Sequence, residues 1–515
     1  MCNVTKSEYR SAEDDNQILH NNNNEQYKPL QTTKKRKKSE TRKRILAQTF
    51  VTSAVMLSSA SCGMPVGYSA ILLPQLKIIN DSMQIDDEMG SWIASVHSAA
   101  TPLGSLLSGV LMDHYGRKLA LQFASTPLIV GWILIAFSKS HATLLVGRLV
   151  AGISAGLTAA TGQVLIGEIS EPHLRGMFSS VPFASYSFGI LIIYALGSLF
   201  QWRYVAGLST IPPIAAILAF FFLPESPVWL VRKGEMESAK QSLTWLRGGN
   251  CSQAKQEIEI LIQRTKIDNE LKKTSFNTIF RPEVLKPFII INVFNVLQIC
   301  SGTYIIVFYA VDILGHIQGG EGLDHFLAAV LTACVRFVFS IMASFLLAMI
   351  GRRSLAMVSG VGATMSALCL GVVLHQYCHG NGYLAASFLF LYVATNTVGF
   401  MILPGVMLSE LFPAKARGLA GGLSFMIFNI VLFVGAKGFP FVKGSVGIAG
   451  VFWIFGGASL LASLFLYLTL PETKTQTLNQ VEDYFSHSSF LWIKRDKSWK
   501  RKIFHQGSGD MSLGV

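Results

Sequence analysis

The chain carries one set of charges twice, each time at the ends of long apolar runs. Asp113, Gly116, Arg117 and Lys118 follow one run, and Gly351, Arg352 and Arg353 follow another. Glu168 precedes Arg175-Gly176 by seven residues, and Glu410 precedes Arg417-Gly418 by seven. Pro224-Glu225-Ser226 closes the first set and Pro471-Glu472-Thr473 the second. The matching glutamates are 242 and 247 residues apart, so the offset is nearly constant. Two homologous halves with charges capping hydrophobic segments point to a duplicated membrane transporter.

Composition agrees. Charged residues are 14% of the 515 and hydrophobic ones 51%, against about 25% charge in a soluble domain. The deficit falls in apolar runs of roughly twenty residues, the length a bilayer core demands. Twelve spans are expected, near 47–74, 91–112, 119–138, 142–167, 177–199, 203–223, 286–312, 325–350, 354–375, 384–409, 416–439 and 447–469. The expected fold is an all-α membrane protein of two pseudo-symmetric six-helix bundles, 47–223 and 286–469. Residues 1–46 read as a disordered basic tail and 470–515 as a second tail. Within 224–285, Ser226 suits an N-cap and Pro227 the first helical position. Trp229, Leu230, Ala239, Leu243 and Leu246 then make an apolar face, predicting short amphipathic helices.

Loop charge sets the expected orientation. The first loop holds Lys77 against Asp81, Asp86, Asp87 and Glu88, whereas the second holds Arg117 and Lys118. The positive-inside rule then puts both termini and the 224–285 segment in the cytoplasm. Lys34 to Lys38 and Arg42 to Arg44 resemble a nucleic-acid patch. Directly before a span they read better as an orientation signal touching anionic lipid, so the bilayer is the expected partner and nucleic acid is not. Asn80-Asp81-Ser82 becomes an outward glycosylation acceptor, while the sequons at Asn3 and Asn250 face inward and stay bare. The seven cysteines form no CxxC pair and no metal spacing. No phosphate loop or nucleophile–base arrangement stands in the polar segments, so neither a cofactor, a metal nor an enzymatic activity is expected.

The charges at the expected cytoplasmic ends are Asp113, Arg117, Glu168, Arg175, Glu225, Arg352, Arg353, Glu410, Arg417 and Glu472. A carboxylate at a helix C-terminus is repelled by the macrodipole, so Asp113 calls for a nearby cation, and the planar fork of arginine suits it. Their repetition predicts a gate whose members pair across the two halves when the inner side closes. Gly63, Pro65 and Gly67 in span one, with Pro404 and Gly405 in span ten, either interrupt helices along a solute path or allow close packing. Gly147, Gly152 and Gly156 fit packing better.

These residues resemble the sugar porter family of the major facilitator superfamily, over about residues 50 to 485. The resemblance rests on Gly109-x3-Asp113-x2-Gly116-Arg117-Lys118, Glu168-x6-Arg175-Gly176, Pro224-Glu225-Ser226-Pro227-x-Trp229-Leu230, Gln298-x2-Ser301-Gly302-x6-Tyr309, Glu410-x2-Pro413-x3-Arg417-Gly418 and Pro471-Glu472-Thr473-Lys474. Within that family the chain looks most like the insect facilitated trehalose transporters. The resemblance implies two bundles around a central cavity, alternating access, and a sugar held near midplane by amide and aromatic side chains. Gln298 matches the first glutamine of the seventh-span motif, and Tyr309 the tyrosine that helps close the outer side.

The departures cluster where a sugar would be read. Phe183 stands at the fifth-span glutamine position, Ile299 at the second seventh-span glutamine and Tyr304 at the seventh-span asparagine. Gly405 replaces the tenth-span tryptophan, Phe428 the eleventh-span asparagine with Asn429 one place on, and Arg336 the eighth-span asparagine. Ala348 replaces the second-half counterpart of Asp113. Gln298, Tyr304, Tyr309, Phe183, Arg336 and Asn429 are therefore the candidate substrate-facing residues. Ser69 stands where proton-coupled relatives carry an aspartate, which implies facilitated diffusion; His97 in span two could titrate near neutral pH, though a lone histidine in a span is more often structural. Arg336 either lines the path and attracts a polar or anionic solute, or pairs with Asp312 or backbone carbonyls. The functional expectation is facilitative transport of trehalose or a hexose at the cell membrane; the alternatives are another polar or anionic solute, or a solute sensor without flux.

Overall fold

Backbone in lipid must satisfy its own hydrogen bonds, so each apolar run is helical. The computed structural model describes residues 29–78, 83–270, 279–318, 324–376, 382–413, 416–474 and 478–487. The first half holds α1 (Pro29–Ile78), α2 (Asp87–Tyr115), α3 (Arg117–Ala136), α4 (His141–Ile169) and α5 (Pro172–Leu199), then a pass split into α6 (Trp202–Leu208) and α7 (Ile211–Phe221). The split falls just before Pro212 and Pro213, which lack the N–H a continuous helix needs. Three shorter helices follow: α8 (Pro227–Lys233), α9 (Met236–Leu246) and α10 (Cys251–Glu270). The second half holds α11 (Pro282–Cys300), α12 (Ile305–Phe308), α13 (Ala310–Gln318), α14 (His325–Met349), α15 (Arg352–Gln376), α16 (Gly382–Val398), α17 (Leu403–Leu411), α18 (Arg417–Thr469) and α19 (Leu478–His487).

Among the described residues, ten helices are long and apolar enough to cross a membrane. One of them, α18, is two passes: its 53 residues turn at Gly447, whose φ of 68° lies in the left-handed region that favours glycine. The Ser- and Gly-rich α2 is not among the ten, but it has the 29 residues of α4 and packs along it. Adding α2 and the second pass of α18 gives twelve.

Two expectations change at the ends of the chain. The helix of the first span starts at Pro29 rather than at residue 47, because the preceding stretch is rich in Lys and Arg, both good helix formers. Residues 1–28 lie outside the described part, as does Asn80. The second tail contains α19, which docks on the second half: Val481, Tyr484 and Phe485, spaced to share one helix face, are buried in its core. Lys286 Nζ donates to the Phe485 carbonyl at 2.7 Å.

The 224–285 segment forms helices where its pattern predicts them. Ser226 Oγ accepts the Trp229 N–H at 3.4 Å, capping α8, and Leu230, Ala239, Leu243 and Leu246 are buried. Asn250 Oδ1 accepts the Gln253 N–H at 3.1 Å, so this sequon asparagine caps α10. Glu171, at the start of α5, ties the segment to the first half: Arg44 reaches it at 3.2 Å and Arg247 at 3.7 Å.

The packing of the two halves differs between the two ends of the molecule. Far from the charge motifs a single apolar core crosses the seam, with Ile71, Leu72 and Ile193 of the first half against Ile306, Val307 and Phe308 of the second. Near the motifs there are two separate cores, one around Val51, Leu121 and Phe220 and one around Phe294, Leu355 and Leu411. Among the described residues the halves therefore share a buried apolar core at the end away from the motifs, the sealed end, and no such shared core at the motif end. The glycines of span one pack closely: a Cβ on Gly63 would strike the Tyr186 backbone, and one on Gly67 would lie 2.7 Å from Ile193. Gly152 and Gly156 pack α4 on α2 in the same way.

Candidate functional site

The duplicated motifs fold into duplicated knots. In the first half, Arg117 Nε and Nη2 donate to Glu168 at 2.9 to 3.2 Å, Nη1 donates to the Met112 carbonyl at 2.9 Å, and the Ser226 hydroxyl bonds Glu168. In the second, Arg352 Nε and Nη2 donate to Glu410 at 2.7 to 3.1 Å, Nη1 to the Leu347 carbonyl at 3.4 Å, and Thr473 Oγ1 to Glu410 at 2.6 Å. Glu225 sits on the N-terminus of α3, accepting N–H groups from Arg117 and Lys118 at 2.9 to 3.1 Å. Glu472 does the same on α15, at 3.0 Å from the Arg352 nitrogen and 3.2 Å from that of Arg353. A helix N-terminus is a ready site for a carboxylate. Gly116, with φ of 93°, turns the chain so that these N–H groups face Glu225, and any side chain there would collide with its carboxylate. Burial pushes the Glu225 carboxyl above its usual range, opposed by the N–H groups of Ser226, Lys118 and Arg117.

The expected gate calls for pairs across the halves when the inner side closes and for their separation when it opens. Among the described residues, each knot closes within its own half, and none pairs across the seam. The reason is reach: Arg117 and Glu168, like Arg352 and Glu410, stand at the same end of neighbouring passes of one bundle. The side chains of Arg175 and Arg417 lie outside the described part, and so does that of Ala348. Asp113, 74% exposed, stands 3.6 Å from Arg117; its carbonyl accepts the Trp229 Nε1–H at 3.0 Å, tying α8 to the end of α2.

At midplane the helices break and their freed backbone groups are held by side chains. Between α11 and α12 the chain unwinds over Ser301 to Tyr304, with Gly302 at φ of 81°. The Tyr392 hydroxyl donates to the Ser301 carbonyl, Thr303 Oγ1 donates to Asn396 at 2.7 Å, and Arg336 Nη2 donates to the Thr303 carbonyl at 2.9 Å. Gln298 is fully buried; its Nε2 donates to the Phe400 carbonyl at 2.6 Å and its Oε1 has no protein partner. One turn earlier, Asn295 is buried with its Oδ1 also unpartnered. Buried amide oxygens without donors are costly in a closed protein and suit a ligand with hydroxyl groups. Asn429 is buried and donates to the Phe425 carbonyl at 2.9 Å. Tyr304 packs edge-on against Phe428 with centroids 5.3 Å apart. The Tyr309 hydroxyl donates to the Ala436 carbonyl at 2.8 Å and its ring packs on Phe439. Phe183 reaches across the seam to Gly405, where a Cβ would lie 2.5 Å from its ring. Arg336 does not meet Asp312, which pairs with Lys443 at 2.6 Å.

Two cations of the site escaped the sequence reading. Arg148 is wholly buried; it donates to the carbonyls of Pro65 at 2.7 Å, Ile93 at 3.0 Å and Ala94 at 3.4 Å, and to the Ser69 hydroxyl. Its position inside an apolar run was a legible signal of the same kind as Arg336. Lys437 crosses the seam at the sealed end: its Nζ donates to Ser91 Oγ at 2.8 Å and lies 4.1 Å from the Trp92 ring centroid. Trp92 in turn packs near Phe433. A partly desolvated cation–π contact with a hydrogen bond contributes about 2 kcal/mol, so Lys437→Met should shift the balance between sealed and open forms of this end roughly thirtyfold. Spin-label distances between α2 and α18 read that shift; an unchanged distribution would mean that Lys437 does not hold the seal.

The comparisons with known proteins agree with this geometry. Residues 19–485 match the family model described as Sugar (and other) transporter. A facilitated trehalose transporter, Tret1, of Culex quinquefasciatus is 28% identical over 446 residues, covering 85% of this chain and 86% of the relative. Tret1 of Bombyx mori is 28% identical over 450 residues, covering 86% and 88%. Among solved structures, the proton:xylose symporter XylE bound to 6-bromo-6-deoxy-D-glucose superposes with TM-score 0.72 at 20% identity, covering 86% of this chain and 100% of that one. The partially occluded inward-open form of XylE from E. coli gives 0.71 at 20% identity, with 84% and 99% covered. With its helical passes, twin charge knots and seam of broken helices, the chain is a multi-pass membrane transporter of the major facilitator fold and belongs to the Sugar (and other) transporter family.

Proposed function

We propose that this chain moves a sugar, trehalose or a hexose, down its gradient across the cell membrane by alternating access. The observation that carries the reading is the uneven seam: one core joins the halves at the end opposite the motifs, and two cores part at the motif end. A rocking of rigid bundles exchanges those arrangements. With both termini cytoplasmic, the motif end is the inner one and the conformation is inward-facing. Gln298, Tyr304, Tyr309, Phe183, Arg336 and Asn429 line the solute's route, and the knots of Arg117 and Arg352 set the inner ends of the moving helices.

Among the described residues the side-chain acceptor of Arg148 is the hydroxyl of Ser69, its other acceptors being backbone carbonyls. A hydroxyl does not titrate in the physiological range, so this pair carries no proton. Proteoliposomes with labelled trehalose and glucose test the reading. Saturable uptake is expected, at a rate that a protonophore leaves unchanged. Binding without uptake would favour a sensor, and uptake that collapses with the pH gradient would overturn facilitated diffusion.

A further inference from the structure

Two arginines lie deep within the spans, and they are held very differently. Arg148 has an acceptor for each of its three nitrogens, four in all, and three of them are backbone carbonyls. Arg336 is 4% exposed, yet among the described residues its guanidinium has one oxygen acceptor, the Thr303 carbonyl, and a thioether contact to Met401 at 3.5 Å. A thioether is a weak acceptor, and a guanidinium has five N–H donors. Among the described residues no carboxylate pairs with Arg336. The sequence explains why: the spans carry one acid, Asp312, at the end of one of them, and Lys443 engages it. Tyrosines 186 and 194 of the first half and 304 and 392 of the second lie within electrostatic reach of the guanidinium, so it sits at the moving seam. The hydroxyls of Tyr194 and Tyr392 are spent on carbonyls; those of Tyr186 and Tyr304 make no protein hydrogen bond among the described residues.

We propose that the solute recognised at this seam is a sugar bearing one carboxylate, a uronic or aldonic acid, which Arg336 binds in two-point fashion while the Tyr186 and Tyr304 hydroxyls donate to it. The proposal rests on the reading of the chain as a sugar carrier and shifts its substrate class from a neutral to an acidic sugar. A buried cation without a counter-charge is costly, and a neutral sugar leaves that cost in place. A carboxylate removes it and matches the guanidinium fork. One guanidinium balances one negative charge, which favours a monocarboxylate over a doubly charged phosphate ester. Arginine keeps its proton through the cycle, so each anion delivered moves one net negative charge, and its uptake responds to membrane potential.

The test compares labelled D-glucuronate with D-glucose, which share a ring, using the full-length carrier in proteoliposomes. Glucuronate uptake should exceed glucose uptake and rise when the lumen is made positive with valinomycin and a potassium gradient, while glucose uptake does not respond. Arg336→Gln should lower the glucuronate-to-glucose ratio at least about tenfold. If that variant fails to fold, Tyr304→Phe supplies the second arm, with a smaller fall in the same ratio. Glucose uptake without glucuronate uptake, or a ratio that neither variant moves, would overturn the proposal and leave the sugar carrier standing. Uptake of no sugar, charged or neutral, would overturn both.

Discussion

Arg117→Ala should lower the stability of the purified carrier by about 3–5 kcal/mol, the usual cost of stranding a buried charge. Arg117 is 3% exposed and its partner Glu168 14%. Glu168 would keep the Ser226 hydroxyl but lose its cation, and the Met112 carbonyl would lose its donor. The twin substitution, Arg352→Ala, should cost less, because Arg352 is 17% exposed and Glu410 26%, so water screens the loss. Thermal unfolding in detergent reads the ranking. Equal losses, or a larger one at Arg352, would contradict the burial argument. The same variants separate an anchor from a gate. If the knots only anchor helix ends within each half, the melting point falls while the spacing of the two halves at the motif end keeps its distribution. A gate would move that distribution with little change in melting point.

The repeat was legible in the sequence because its charges recur at fixed spacing beside apolar runs, and both quantities are local. What those charges touch was not legible. Arg117 meets Glu168 across 51 residues, and Arg352 meets Glu410 across 58; spacing along the chain says which residues share a helix end, not which pass lies beside which. The contacts within each half, Arg117 with Glu168 and Arg352 with Glu410, were not anticipated beside the expected gate across the halves. The α8 cap at Ser226 was readable because a cap is set by the next three residues. The docking of α19 was written in Val481, Tyr484 and Phe485, but a face of three apolar residues in a polar tail stands out only once the surface it covers is known. Arg148 was overlooked beside Arg336 although the same argument from desolvation applies to both, and only the structure separates the satisfied cation from the unsatisfied one.

The departures from the family pattern at Phe183 and Gly405 become one departure when seen in space. The two residues are remote in sequence, yet the Phe183 ring fills the space that a side chain at 405 would take: a Cβ there would lie 2.5 Å from the Phe183 Cζ and 3.1 Å from Cε1. A glutamine at 183 and a tryptophan at 405, as the resemblance implies for the family, would exchange which helix supplies the bulk. Gly405→Trp alone should overpack the seam, costing about 1–3 kcal/mol or more and blocking the rocking of the halves, so flux is lost. Phe183→Gln alone leaves a void beside Gly405, and because the ring is only partly buried its loss costs less than the ~3–5 kcal/mol of a fully buried aromatic. Because the residues touch, the double variant should recover much of both losses, with a coupling of about 1–3 kcal/mol in a double-mutant cycle. It also returns an amide and an indole to the seam, groups suited to a neutral sugar, so its uptake of glucose should exceed that of either single variant. Strict additivity of the melting-point changes would mean that Phe183 and Gly405 are independent, and that the seam acquired its aromatic filling by two unrelated substitutions.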